Sequence, residues 1–156
     1  MAPHLDYNVR KIQVQILRLA NAKDISFPKY MTDNASGADI FAAIEHEIII
    51  KPGEIKLIPT GFCVAIPEGY EIQIRPRSGL AIKHGVTVVN APGTIDSDYR
   101  GEIKVGLINL GQKPFKIKRG DRIAQMVLAP CYQIDWAEVT KLPDTKRGKG
   151  GFGHTG

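Results

Sequence analysis

Five short segments carry residues whose types and spacing suit them to chemistry on a phosphorylated ligand. In Ala35-Ser-Gly-Ala-Asp-Ile40 a single carboxylate, Asp39, follows a glycine turn and leads into an apolar strand. It could orient a hydrated Mg2+, an ion that keeps several waters and takes phosphate oxygens as partners. Ile74-Arg-Pro-Arg-Ser-Gly-Leu-Ala81 runs Arg75 and Arg77 into a short helix, over 78–83, with Ser78 expected at its N-cap. Free N–H groups, the helix dipole, a hydroxyl and guanidinium groups all favour an anion there. The stretch from Gly85 to Glu102 reads as a β-hairpin whose mouth, at Asn90 and Gly93, offers donors and acceptors to a planar pyrimidine edge. Asp96 and Asp98, two apart on the following strand and so on one face, supply a general base toward water.

Arg119-Gly-Asp-Arg-Ile-Ala-Gln-Met-Val127 passes from a turn into a strand with Gln125 as its buried polar residue, and a buried amide needs partners from the core, a phosphate or water. The last segment, Arg147-Gly-Lys-Gly-Gly-Phe-Gly-His-Thr-Gly156, has five glycines in ten residues. Its main-chain N–H groups can approach an anion closely, Arg147 and Lys149 add charge, and Phe152 offers a flat apolar face. Taken singly, each segment has an ordinary alternative: a turn-stabilising Asp39, an N-cap beside a surface arginine, a solvated Asp-Ser-Asp turn, a frayed glycine tail.

The rest of the chain must position these groups. Its 156 residues, 43% hydrophobic and 24% charged, fit one domain with a modest core. Ile12, Val14 and Ile16 alternate with polar residues, as do Ile72 and Ile74, and Ile103, Val105 and Leu107, so each reads as a strand with one buried face. Turn signals at Lys51-Pro-Gly-Glu54, Ile66-Pro-Glu-Gly69, Ala91-Pro-Gly93 and Lys118-Arg-Gly-Asp121 make the strands short and numerous. That pattern argues for an all-β barrel or jelly-roll-like sandwich with one short helix. Residues 1–140 form the expected body and 141–156 a flexible arm that begins in a polar, proline-containing linker.

Cys63 and Cys131 lie apart in apolar surroundings without the spacing of a zinc site, and are expected as reduced core thiols. No apolar run approaches the roughly 20 residues of a membrane span, and the opening MAPHLDYNVRKIQVQ lacks a signal-peptide core, so we expect a cytoplasmic protein. The net charge of +5 is concentrated at the end, where Lys141, Lys146, Arg147 and Lys149 face only Asp144. An anionic ligand suits that bias better than nucleic acid, since no helical basic region, aromatic ladder or nucleic-acid module is present.

In their order and spacing, ASGADI, RPRSGLA, NAPGTIDSDYRGE, RGDRIAQ and RGKGGFGHTG resemble the five motifs of the trimeric dUTP pyrophosphatase (dUTPase) family, from Ala35 to Gly156. The resemblance implies a homotrimer of β-rich, jelly-roll-like (β-clip) subunits with active sites at their interfaces and a terminal arm crossing to a neighbour. It implies Mg-dependent hydrolysis of dUTP to dUMP and pyrophosphate, with Asp96 activating the water that attacks the α-phosphorus. Ser78, Gly79 and Gln125 would bind the phosphate chain, Arg77 would help position it, and Asp39 would contact water on the Mg2+. Asn90 and the backbone of Gly93, Thr94 and Ile95 would read uracil and exclude a 5-methyl group, while Tyr99 would pack on the deoxyribose and exclude a 2′-hydroxyl. In the arm, Arg147 would reach the γ-phosphate, Phe152 would stack on uracil, and Gly153 with its neighbours would close over the phosphates.

One departure is His154, where the family commonly has Ser; altered pH dependence or nucleotide affinity is the expected consequence. The same superfamily includes dCTP deaminases, but the hairpin has no glutamate placed for deamination. A non-catalytic nucleotide- or nucleic-acid-binding protein is the remaining alternative, resting on charge alone.

Overall fold

A computed structural model describes residues 10–153, in which eleven strands and one α-helix surround a single main core. The strands are β1 Gln15–Arg18, β2 Ala38–Phe41, β3 Ile48–Ile50, β4 Ile55–Pro59, β5 Phe62–Ala65, β6 Tyr70–Arg75, β7 Val86–Val88, β8 Gly93–Ile95, β9 Lys104–Asn109, β10 Phe115–Ile117 and β11 Arg122–Pro130. The helix, α1, spans Ser78–His84. All pairings are antiparallel, in four short sheets ordered β1-β5, β10-β3, β2-β11-β6-β8 and β4-β9-β7. The expected all-β, jelly-roll-like class with one short helix holds, built from packed sheets rather than one closed barrel.

Alternation does the packing. Ile72 and Ile74 of β6, and Val105 and Leu107 of β9, turn inward, while their neighbours face out. They meet Ile40, Ile50, Ile58, Phe62, Ile103, Ile117 and Ile123, all almost wholly buried. At roughly 1.5–3 kcal/mol for each fully buried large aliphatic or aromatic side chain, this cluster is the main support of the sheets. Asn109 is buried too, and its amide donates to the carbonyls of Ile50 and Lys113, each at 2.8 Å, while accepting from Gly111 N–H. A buried amide so satisfied ties β9 to β3 and to the loop before β10.

Two sequence expectations shift. The first strand begins at Gln15 rather than near Ile12, because its partner strand ends at Ala65, opposite Gln15, and the chain then turns through Pro67. The thiols are not core groups: Cys63 is half-buried on β5, and Cys131 is exposed just after β11. Helix α1 ends at Gly85, whose left-handed φ of 70° closes the last turn. A Cβ at Gly85 would also lie 2.7 Å from Gly111 Cα, so glycine is required twice over. Among the described residues no helix is long and apolar enough to cross a membrane.

Candidate active site

The anion-binding half is assembled from three strands and the start of α1. Asp39 lies within β2, directly opposite Gln125 of β11, which in turn faces Arg75 of β6. After β6, Pro76 keeps its predecessor extended, and Arg77 also stays extended (φ −89°, ψ 127°) before the helix begins. Arg77 therefore occupies the N-cap that was expected for Ser78. No side chain caps this helix, since a guanidinium has only donors and cannot accept from the first-turn N–H groups; Arg77 instead reaches across to Asp39, with Nε 3.4 Å from Oδ2. Arg122 approaches the same oxygen, with Nη1 at 3.1 Å. The carboxylate is largely buried between these two cations.

Gln125 is half-buried, and its Nε2 donates to Pro76 O at 3.0 Å, holding the turn before α1 against β11. Ser78 and Gly79 open the helix and are exposed, where first-turn N–H groups lack intrahelical acceptors. The result is a rim of Arg77, Arg122, Ser78, Gly79 and Gln125 with one internal carboxylate, suited to a polyphosphate. Among the described residues no cluster of three or more His, Cys, Asp or Glu could hold a metal ion. A magnesium ion at this rim would therefore have to be carried mainly by phosphate oxygens of a ligand.

The second half is a cavity of about 280 Å3 lined by Leu57, Thr94, Ile95, Asp96, Tyr99, Glu102 and Lys104. The expected hairpin is not one. β7 pairs with β9 and β8 with β6, so the turn between them, with its cis Ala91–Pro92 peptide, links two sheets instead of closing one ladder. Asn90 is exposed in that turn, beside Gly93. Nor do Asp96 and Asp98 share a strand face. β8 ends at Ile95, and Tyr99 N–H bonds Asp96 O at 3.2 Å, making Asp-Ser-Asp a turn, as its residue types favour. Asp96 is exposed at the mouth of the cavity.

Within one chain the two halves do not converge. Ile95 faces Ile72, and Arg77 lies five residues further along from Ile72. At about 3.3 Å per extended residue, Asp96 and the Arg77–Ser78 rim are separated by on the order of 15 Å.

The final segment stands apart as well. Cys131 N–H bonds Gly69 O, and beyond it the hydrogen bonds among the described residues are local. Arg147 Nε donates to Gly150 O at 2.7 Å, and Phe152 is fully exposed. His154 lies outside the described residues.

The dUTPase family model matches residues 23–156. The chain belongs to the dUTPase family. The deoxyuridine 5'-triphosphate nucleotidohydrolase of Desulfotalea psychrophila is 59% identical over 147 residues, 94% of this chain and 98% of that protein. The protein of the same name from Beijerinckia indica is 56% identical over 149 residues, 94% of this chain and 93% of its own length. Among solved structures, a mutant dUTPase of Staphylococcus bacteriophage 80alpha with dUpNHpp is 25% identical, with TM-score 0.82 over 94% of this chain and 99% of that one. A mutant dUTPase of phage phi11 of S. aureus, whose structure describes the coordination of a structural Mg(II) ion, shares the fold at 23% identity and TM-score 0.74, covering 83% of this chain and 98% of its own.

Sequence reasoning about this dUTPase-family chain passed over four residues. Arg122 was signalled only as a cation just before an apolar strand. Glu102 and Lys104 line the cavity although deamination drew attention away from glutamate here; the Glu102 carboxylate is engaged by Gly61 N–H at 3.0 Å and lies 3.7 Å from Lys104 Nζ. Leu57 comes from a distant strand and carried no local signal.

Proposed function

We propose that the chain hydrolyses dUTP to dUMP and pyrophosphate in the cytoplasm, as a homotrimer whose body is residues 1–140 and whose arm is 141–156. The observation that carries this reading is the cavity joining Asp96 to Tyr99 and to the strand Gly93–Ile95, in a chain 59% identical to a deoxyuridine 5'-triphosphate nucleotidohydrolase. Asp96 takes a proton from water, whose oxygen bonds the α-phosphorus as the bond from that phosphorus to the bridging oxygen breaks. Pyrophosphate leaves with that oxygen. Asn90 with the backbone of Gly93, Thr94 and Ile95 reads the uracil edge, and Tyr99 packs on the deoxyribose.

Arg77, Ser78, Gly79 and Gln125 bind the phosphate chain, and Asp39 orients Arg77; Asp39 would also be the residue to meet a magnesium ion on the phosphates, through water. A magnesium ion, held mainly by the triphosphate, would supply neutralisation of the phosphate charge. Arg147, Phe152 and Gly153 close from the arm. Two features support sharing the site between copies: the separation of Asp96 from the Arg77 rim, and the apolar residues left exposed. These include Ile55 and Leu57 on β4, and Tyr132, Ile134 and Trp136 beyond β11. Surfaces of this kind mark interfaces.

A panel of dUTP, dTTP, dCTP and UTP with Mg2+ tests the activity. Pyrophosphate and dUMP from dUTP, suppressed by a chelator, are expected; no pyrophosphate would refute the reading, and ammonia from dCTP would point to a deaminase.

A further inference from the structure

The glycine at position 101 has no backbone reason to be glycine. Its φ lies outside the left-handed region, although the chain bends there. What requires it is the ring of Tyr99. A Cβ on residue 101 would lie 2.6 Å from Tyr99 Cζ and 3.0 Å from Cε2, and closer still to Oη. The ring rests on the bare backbone of Gly101, and its hydroxyl donates to Glu102 O at 3.0 Å.

That acceptor is itself fixed. Glu102 Oε1 accepts from Gly61 N–H, and the next residue, Ile103, gives its N–H to Phe62 O at 2.9 Å and accepts Thr60 Oγ1 at 2.6 Å. Two adjoining residues thus hold one aromatic ring: Gly101 by leaving it room, and Glu102 by tethering its hydroxyl to a segment pinned on the core.

We propose that Gly101 and Glu102 set how strictly this enzyme rejects a ribose 2′-hydroxyl, acting as positioning residues for Tyr99. This rests on the proposed role of Tyr99 against the sugar. A hydrophobic wall that merely abuts a hydroxyl discriminates weakly unless it is held rigidly in place. Held between the shelf and the tether, the ring cannot retreat from a 2′-oxygen. A methyl group at position 101 meets the hydroxyl end of the Tyr99 side chain rather than backbone, so it should push the hydroxyl off Glu102 O and free the ring to move.

The test is the ratio of kcat/KM for dUTP to that for UTP, measured in Gly101→Ala, Tyr99→Phe and Tyr99→Ala beside the wild type. We expect the ratio to fall about tenfold in Gly101→Ala. A smaller fall is expected in Tyr99→Phe, which keeps the ring and loses only the tether, with the dUTP to dTTP ratio unchanged in both. A merely structural role would lower all substrates together.

If Tyr99→Ala leaves UTP rejection intact, the sugar-facing reading of Tyr99 fails. If Tyr99→Ala admits UTP but folded Gly101→Ala keeps or raises the ratio, the proposal fails alone. Should Gly101→Ala not fold, Tyr99→Phe decides, and an unchanged ratio there overturns the proposal.

Discussion

The anion rim and the terminal arm carry the same chemistry, arginine and backbone N–H groups, in opposite physical states. In the rim, Arg77 and Arg122 share the largely buried Asp39, and Gln125 is bonded to Pro76 O before any ligand arrives. In the arm, Arg147 bonds, among the described residues, to its own turn and Phe152 is fully exposed. The rim has met its ordering cost during folding, whereas on the proposed reading the arm would meet it with each ligand. Stability and activity should therefore respond separately in the two regions.

The largest effect is expected where a group has chemistry and no structural burden. Asp96→Asn keeps the exposed turn but removes the proposed base, so kcat should fall by about a thousandfold, with stability within about 0.5 kcal/mol of wild type. Measured kcat beside a thermal melt checks both; a large fall in Tm would mean that the turn holds up the body. Next comes the arm. A chain ending at Lys146 should lose about a hundredfold in kcat/KM for dUTP, the scale of misplaced contacts, with Tm unchanged. Loss of several degrees would break the comparison, because it would make the arm part of the folded body.

Asp39 tests the other side. Asp39→Ala leaves two guanidinium groups without their shared carboxylate, and both effects should appear together. Discounting for the partial exposure of the arginines, we expect about 1–2 kcal/mol of destabilisation. We also expect roughly a tenfold rise in KM. Titrating Mg2+ separates its two proposed duties: a raised Mg2+ requirement supports the water-mediated contact, and an unchanged one leaves Asp39 as an organiser of arginines alone.

This contrast also explains what the sequence could disclose. Ile72 and Ile74, and Val105 and Leu107, betrayed their strands because alternation is a local consequence of one buried face. Asp39, Arg77, Ser78 and Gln125 could be singled out by type and neighbours, and the structure brings Asp39 and Gln125 onto one sheet, with Arg77 reaching Asp39 from the N-cap of α1. Sheet membership was not legible: nothing in Gly85 to Glu102 reveals that β7 and β8 take different partners, since pairing is decided by distant strands. Arg122 and Leu57 were hidden for the same reason. The Asp96 turn was misread as a strand because a two-residue spacing of carboxylates looks alike in both, and only the Tyr99 N–H bond to Asp96 O distinguishes them.

The smallest effect is expected from a pair with structure and no chemistry. Arg119 grips Asp24 through both carboxylate oxygens, at 2.8 and 2.6 Å, and also donates to the carbonyls of Asn21 and Ile44. Its hydrogen bonds, more than its charge, hold the Asp24 carboxyl down from 3.8 to about 2. A carboxyl depressed in the folded state stabilises above its unfolded value and loses that contribution as pH falls through the folded one. Asp24→Asn should therefore melt slightly below the wild type from neutral pH down to about 4, and the gap should close between 3.8 and about 2. Melts across this range, with dUTP turnover at neutral pH unchanged, would place Asp24 opposite the arm: felt in stability, absent from catalysis. A gap that stayed constant to pH 2 would mean that the pair's ionisation contributes nothing to holding the turn at Lys118-Arg-Gly-Asp121 against Asn21 and Asp24.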